Sequence, residues 1–309
     1  MPTIQIIGAG MAGLLAANML RRHSPTVVER QPSLPNNHHA VLRFRTDAVS
    51  RELRIPFREV RVFKSIDNPD VVQGAMHYSK KVTGRYELRS LLNLEPSTRY
   101  IAPPDLIQRM AEGLDFRFGI YAEGWKPISD EPLISTMPMP SLMDALDYPG
   151  PRPEFASTPG WTLKQKVRDC DVFVTRYLTR PGRSAYRISI TGDELIMEGA
   201  GPSPFTLQRN VAPSSFLADQ AEELGLRRAD LLGEPEHHES RYAKIGRLSP
   251  EDRRKAEEFM LWATLEHRVF SLGRFATWRA GLLLDDLPHD IAKIEGWMQS
   301  GNYQIKRSL

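Results

Sequence analysis

The stretch IQIIGAGMAGLLAANMLRRHSPTVVERQ, residues 4–31, decides the fold. Ile4 to Ile7 are an apolar, partly β-branched run that predicts a strand. Gly8, Gly10 and Gly13 then supply G-x-G-x-x-G where an apolar, small-residue helix begins. Each glycine has a physical task. Gly8 allows a tight turn, Gly10 lets backbone approach a pyrophosphate, and Gly13 lets the helix pack closely on the strand. Met11 and Ala12 open the helix, whose unpaired N–H groups and positive dipole end favour phosphate. Val27 and Val28 predict the second strand. Glu29 ends it, about 20 residues beyond the glycine turn, where a carboxylate can accept hydrogen bonds from ribose hydroxyls. Arg30 stands next to it. A carboxylate at that point disfavours a phosphorylated ribose and hence NADP. The order strand, glycine turn, helix, strand, acid is that of a dinucleotide-binding unit, and it leaves NAD and FAD open.

With 309 residues the chain can bury a sizeable core, as two domains or one large α/β body. Its 41 basic and 38 acidic residues leave a net charge of +3, which permits a nucleotide or nucleic-acid partner without requiring one. Cys170 is the one cysteine, which excludes an intrachain disulfide and a redox-active cysteine pair, and with them the chemistry of disulfide reductases. The first strand begins at Thr3 and no apolar run reaches about 18 residues. A cytoplasmic protein with no membrane span is the expectation.

Beyond Gln31 the pattern loosens. Residues 31–37 form a proline and asparagine loop, followed by a short alternating run, HHAVLRF, that predicts a strand. His38 and His39 sit where the chain would return toward a bound cofactor, and adjacent strand residues face opposite ways, so at most one would point at it; a solvated loop pair is an equal reading. PPDLIQRMAEGL from Pro103 predicts an amphipathic helix, and Leu133 to Thr136 a strand ended by Met-Pro-Met-Pro. VFVTRYL, AYRISIT and ELIMEG, between Val172 and Gly199, predict an antiparallel meander, either a substrate-binding layer or an ordinary structural sheet. GEPEHHES, around His237 and His238, has the composition of a metal site without its spacing, so a solvated loop and no metal are expected. Ser249-Pro250-Glu251-Asp252 predicts the start of a long helix, and Pro288 the start of a final one.

Residues 4–31, LISTMPMPSL (133–142) and GRFATWRAGLLLDDLPHDI (273–291) together resemble the FAD-binding parts of the large flavoprotein class that includes amine oxidases, protoporphyrinogen oxidase and UDP-galactopyranose mutase. The closing segment looks most like that of the mutases, with a Gly-Arg, an aromatic, an Asp and a helix in that order. The chain departs from the class in lacking the Gly-Gly pair that usually follows the acidic residue, where PSLPNNHH stands instead. A fainter similarity links this arginine-rich version to bacteriophage flavoproteins of thymine hypermodification.

The resemblance implies a Rossmann-like, glutathione-reductase-type α/β domain binding FAD, with an inserted antiparallel β-sheet domain for substrate. The FAD-binding part would comprise residues 1–50, 95–145 and 245–309, and the substrate part 51–94 and 146–244. Gly8, Gly10, Met11, Ala12, Gly13, Glu29 and Arg30 would hold the adenosine diphosphate; Pro138, Asp285 and Asp286 would hold the ribityl and flavin. His38, His39, Arg274 and Trp278 would line the reacting pocket, with Tyr242 and Lys244 beyond them. For Trp278 a place in the core is an equal reading. A lone arginine such as Arg274 in apolar surroundings calls for an anionic partner. There is no second glycine turn for a separate NAD(P)H domain, so the implied chemistry is oxidation of an amine or amino-acid-like substrate by hydride transfer to FAD. The implied substrate is a small molecule or a nucleotide-linked one, an amino-modified pyrimidine in the phage setting. A redox-neutral mutase acting on a nucleotide sugar and a non-catalytic flavin-binding protein stand as alternatives.

Overall fold

The computed structural model describes residues 4–35, 38, 42–86, 90–120, 131–207 and 212–301, with Thr83, Ser90, Leu207 and residues 241–243 described by their backbone alone. In chain order the first strands are β1 (Gln5–Ile7), β2 (Thr26–Glu29), β3 (Arg43–Phe44), β4 (Arg58–Ile66), β5 (Ser97–Ile101), β6 (Asp115–Phe118) and β7 (Leu133–Ser135). They continue as β8 (Ser157–Val167), β9 (Val172–Tyr177), β10 (Ala185–Gly192), β11 (Glu194–Ala200), β12 (Leu231–Ile245) and β13 (Val269–Ser271). The helices are α1 (Met11–Met19), α2 (Ala48–Leu53), α3 (Val71–Thr83), α4 (Leu106–Ala111), α5 (Met139–Ala145), α6 (Pro204–Leu207), α7 (Pro213–Ala221), α8 (Pro250–His267) and α9 (Leu287–Ser300).

The smaller sheet has the order β13-β7-β1-β2-β6, and every pairing in it is parallel. Strands β1, β2, β7 and β13 bury side chains on both faces, which is why their sequences read as short apolar runs, whereas edge strand β6 is largely exposed. Ile6, Ile134 and Phe270 pack with α1 and α9 on one side, while Leu133 and Val269 pack with α5 and α8 on the other. Helix α8 starts as its sequence predicts: Ser249 Oγ accepts from Asp252 N at 3.0 Å and Pro250 occupies the first turn. The strands after β1 lie on both sides of it, so the topology reverses at β1, and in open parallel sheets the ligand crevice lies beyond the carboxyl ends at such a point.

The larger sheet has the order β12-β8-β11-β10-β9-β4-β5-β3 and is antiparallel except for β4 with β9. The predicted meander is β9, β10 and β11. Strand β4 divides its partners: Arg58–Val62 pair with β5 and Phe63–Ile66 with β9, so the sheet curls. Helix α7 covers one face, packing Leu217 and Ala221 against Ile188, Ile190 and Met197. Strands β3 and β5 lie in stretches assigned above to the FAD-binding part, yet their hydrogen bonds are in this larger sheet. Here α/β layers of a parallel sheet and a curled mixed sheet share one chain.

One expectation is corrected. His237 and His238 lie in β12, opposite Leu163 and Thr162, and not in a solvated loop. The polar run survives as a strand because it is at the sheet edge, and a register shift between Leu232 and Glu236 absorbs Gly233 (φ 71°) and Pro235. His237 Nε2 lies 3.1 Å from Ser203 Oγ and its ring meets Phe205 edge-on. Among the described residues no group of three or more potential metal ligands occurs. No helix of the described residues is long and apolar enough to cross a membrane.

Candidate functional site: the glycine turn and the curled sheet

The crevice is built first by the glycine turn. Gly8 has φ +95°, and its N–H donates to Val28 O at 2.8 Å, so the turn is tied to β2. A Cβ on Gly8 would lie 2.3 Å from Thr136 Oγ1, and one on Gly13 would lie 1.9 Å from Gly8 O. A Cβ on Gly10 would meet nothing within 4 Å. Gly8 and Gly13 are therefore required by the protein's own packing, whereas the space beside Gly10 is open. Gly10 is also the N-cap of α1 and brings no side-chain cap, so the first amides of Met11, Ala12 and Gly13 are left to whatever enters that space.

Glu29 closes the turn from the other side. Its Oε2 accepts from Ala9 N at 2.7 Å and its Oε1 from Gln31 N at 2.9 Å. Each carboxylate oxygen has a further lone pair, so the same group can also receive ribose hydroxyls. Arg30 is exposed beside it. An open cradle at Gly10, an uncapped helix start and a carboxylate fixed at the end of β2 fit an adenosine diphosphate.

The neighbouring strands bring the other predicted segments to the same edge. Thr136, which sequence reasoning passed over, donates from both N and Oγ1 to Ile7 O, at 2.9 and 2.8 Å. Pro138 caps α5. Gly273, with φ +94°, follows β13, and a Cβ there would lie 3.1 Å from Ala12 Cβ, so the Gly273-Arg274 turn rests on the first turn of α1. Arg274 is half-buried, and its Nε donates to Leu282 O at 3.1 Å, closing the loop that runs to the acidic pair.

Asp285 Oδ1 accepts from Arg45 N (2.8 Å), Thr46 N (2.9 Å) and Thr46 Oγ1 (3.2 Å), bracing the chain that leaves β3. Asp286 Oδ2 accepts from Leu283 N at 2.8 Å within its own turn. Trp278 (φ +48°) is 3% exposed and packs on Phe155 at 4.6 Å, within the core behind β7 and β13. His38 is half-buried; His39 and the side chain of Tyr242 lie outside the described residues. The Lys244 ammonium stands 4.8 Å from the Tyr186 ring in the larger sheet.

The charged groups of that sheet were not singled out in the sequence. Arg43 reaches from edge strand β3 back over β9 and β10, donating from Nε to Thr191 Oγ1 (2.9 Å) and from Nη2 to Val174 O (3.1 Å), with further bonds to Thr175 Oγ1 and Ile190 O. Burial, reinforced by the Arg187 charge, lowers its pKa to about 9. Arg187 is bound to Glu198, whose other oxygen accepts from Tyr186 Oη at 3.1 Å. Burial opposes both charges, but the pairing outweighs it, raising the arginine and lowering the carboxylate. The hint in the sequence was RFR at 43–45, an arginine alternating with the core residue Phe44.

No protein-family model matches the chain, and no curated protein matches it. Solved structures do share its fold. A reduced UDP-galactopyranose mutase superposes with a TM-score of 0.65 at 14% identity, over 97% of this chain and 94% of that chain. A protein assigned as a protoporphyrinogen oxidase from Exiguobacterium sp. 255-15 gives 0.56 at 11% identity, over 97% and 98%. A triple mutant of the flavin-dependent brominase Bmp2 gives 0.53 at 14% identity, over 98% and 82%. The chain thus has the fold of flavin-dependent enzymes.

Proposed function

We propose that this chain is an FAD-dependent oxidoreductase that oxidises an amine or amino-acid-like substrate by hydride transfer. The observation that carries the reading is the convergence of the open Gly10 cradle, the fixed Glu29 carboxylate and the Gly273-Arg274 turn at the switch point of a parallel sheet. Bound there, FAD would accept a hydride from the substrate carbon. Gly10 and the first amides of α1 would take the pyrophosphate, and Glu29 the ribose. The loop closed by Arg274 and Asp285 fixes the spacing between this crevice and the curled sheet. The resemblance to phage flavoproteins suggests an amino-modified pyrimidine as one such substrate.

The visible spectrum of the purified protein tests this first, with released FAD as the expected result, followed by anaerobic bleaching with amines and modified nucleosides. A colourless protein that takes up no added FAD overturns it. A redox-neutral mutase is the second reading, favoured by the fold shared with a UDP-galactopyranose mutase and by the closing Gly-Arg and acidic segment. Turnover of a nucleotide sugar only after dithionite reduction would select it.

A further inference from the structure

The curled sheet has one face covered by α7 and one toward which its edge bends. Strand register places Lys64 beside Thr175, Arg187 beside Tyr177, Arg99 beside Val60 and Ser97 beside Val62. Residues paired across strands share a face, and Val60, Val62 and Lys64 alternate along β4, so Lys64, Ser97 and Arg99 lie on one side. Arg43 bonds to Thr175 and Thr191 on that same side, which makes it the inside of the curl. The acids near this face are already engaged. Glu198 is bound by Arg187 and Tyr186, and Asp285 by the amides of Arg45 and Thr46.

Among the described residues, no carboxylate lies within ion-pair distance of Lys64, Arg99 or Arg43. Arg99 has a bond to Thr98 O at 2.6 Å, a neutral acceptor. The cations also act on one another: burial and then Arg99 lower Lys64, burial and then Arg45 lower Arg99 against a smaller opposing pull from Tyr177 and Asp285, and Arg187 adds to the burial of Arg43 against Glu198, with a net lowering in each case. Such an arrangement costs free energy that an entering anion removes. A separate observation agrees: Ser97 Oγ is buried with no hydrogen-bond partner.

We propose that the inner face of the curled sheet binds a phosphate group of the substrate, held by Lys64, Arg99 and the Ser97 hydroxyl, with Arg43 fixed behind them. A compact multiple anion suits two half-buried cations and a hydroxyl donor. The inference deepens the oxidoreductase reading and rests on it only for the role of the anion as part of a substrate. Either a free nucleotide or a nucleic-acid strand could bring the phosphate.

The test is calorimetric titration of the protein, as purified with its cofactor, using pyrophosphate, thymidine, thymidine monophosphate and a short thymidine oligonucleotide. Binding of pyrophosphate and the monophosphate, but not thymidine, is expected, and the stronger of monophosphate and oligonucleotide identifies the source. Lys64→Glu and Arg99→Glu should each weaken binding about tenfold or more, the loss of one charge-assisted contact, while Lys64→Arg retains it. Arg61→Glu, an exposed site on the opposite side of β4, is the control and should change little. No binding to the wild type, or equal loss in the Arg61 variant, overturns the site. Loss of flavin from the Lys64 or Arg99 variants also overturns it, because the cations would then serve the cofactor. The flavin spectrum of the same samples separates the two readings: a yellow protein that ignores the anions refutes the phosphate site alone, and a colourless one that binds them refutes the flavin alone.

Discussion

Glu29 joins the glycine turn to the end of β2, and its removal should be felt twice. Glu29→Ala leaves the Ala9 amide without its acceptor, which should cost roughly 1–2 kcal/mol of stability, and it removes the ribose acceptor. A lower flavin-to-protein absorbance ratio together with a lower melting temperature is expected, and unchanged flavin occupancy would count against a cofactor role. Lys81 makes a different prediction. Its ammonium donates to Leu178 O (2.8 Å) and Ala185 O (3.1 Å), and burial lowers its pKa from 10.5 to about 8. The unfolded chain therefore binds more protons between about 8 and 10.5, so this group makes the fold more stable as pH rises through that window and contributes no slope below it. Melting curves of wild type and Lys81→Met at neutral and alkaline pH should show the difference between them moving in favour of the wild type as pH rises. A constant difference would show that the lysine does not titrate there.

The turn from β1 into α1 can be divided by substitution into binding and packing. Gly10→Ala places a methyl in open space at φ −71°, so stability should change little while flavin affinity falls. Gly13→Ala drives its methyl into Gly8 O and should destabilise by roughly 1–3 kcal/mol or prevent folding. Equal effects of the two on stability would refute this division. The same element shows what the sequence could convey. Local order, with β-branched run, glycines and acid in 26 positions from Ile4 to Glu29, made β1, α1 and β2 legible, because every constraint lies within one supersecondary unit. The acidic pair at 285–286 was legible as a motif but not in its contacts, since the partners of Asp285 are 240 and 239 positions away. The inner face of the curled sheet was least legible. Lys64, Arg99 and Arg43 come from three strands, and their proximity depends on a curl that no local pattern encodes.

For the molecule as a whole, Arg43 fastens the edge strand β3 over β9 and β10 through bonds to side-chain hydroxyls and backbone carbonyls. A lysine keeps the charge but not the planar spread of donors, so Arg43→Lys should cost about 1–2 kcal/mol and speed amide exchange in β3 and β5. Exchange unchanged in those strands would show that the curl is held by something else. The divided pairing of β4 also bears on how the chain assembles. Strands β8 to β11 include hairpin neighbours that meet after short loops, whereas Ser65 and Arg176 are 111 positions apart when β4 meets β9 in the one parallel pairing of that sheet. Closing so long a loop costs entropy before any contact rewards it, so that seam is slow to form, as are the still longer closures that bring β1 to β7 and β7 to β13. Until it closes, the last half of β4 and the facing edge of β9 are unpaired strand edges, which a newly made chain offers to other chains in that interval.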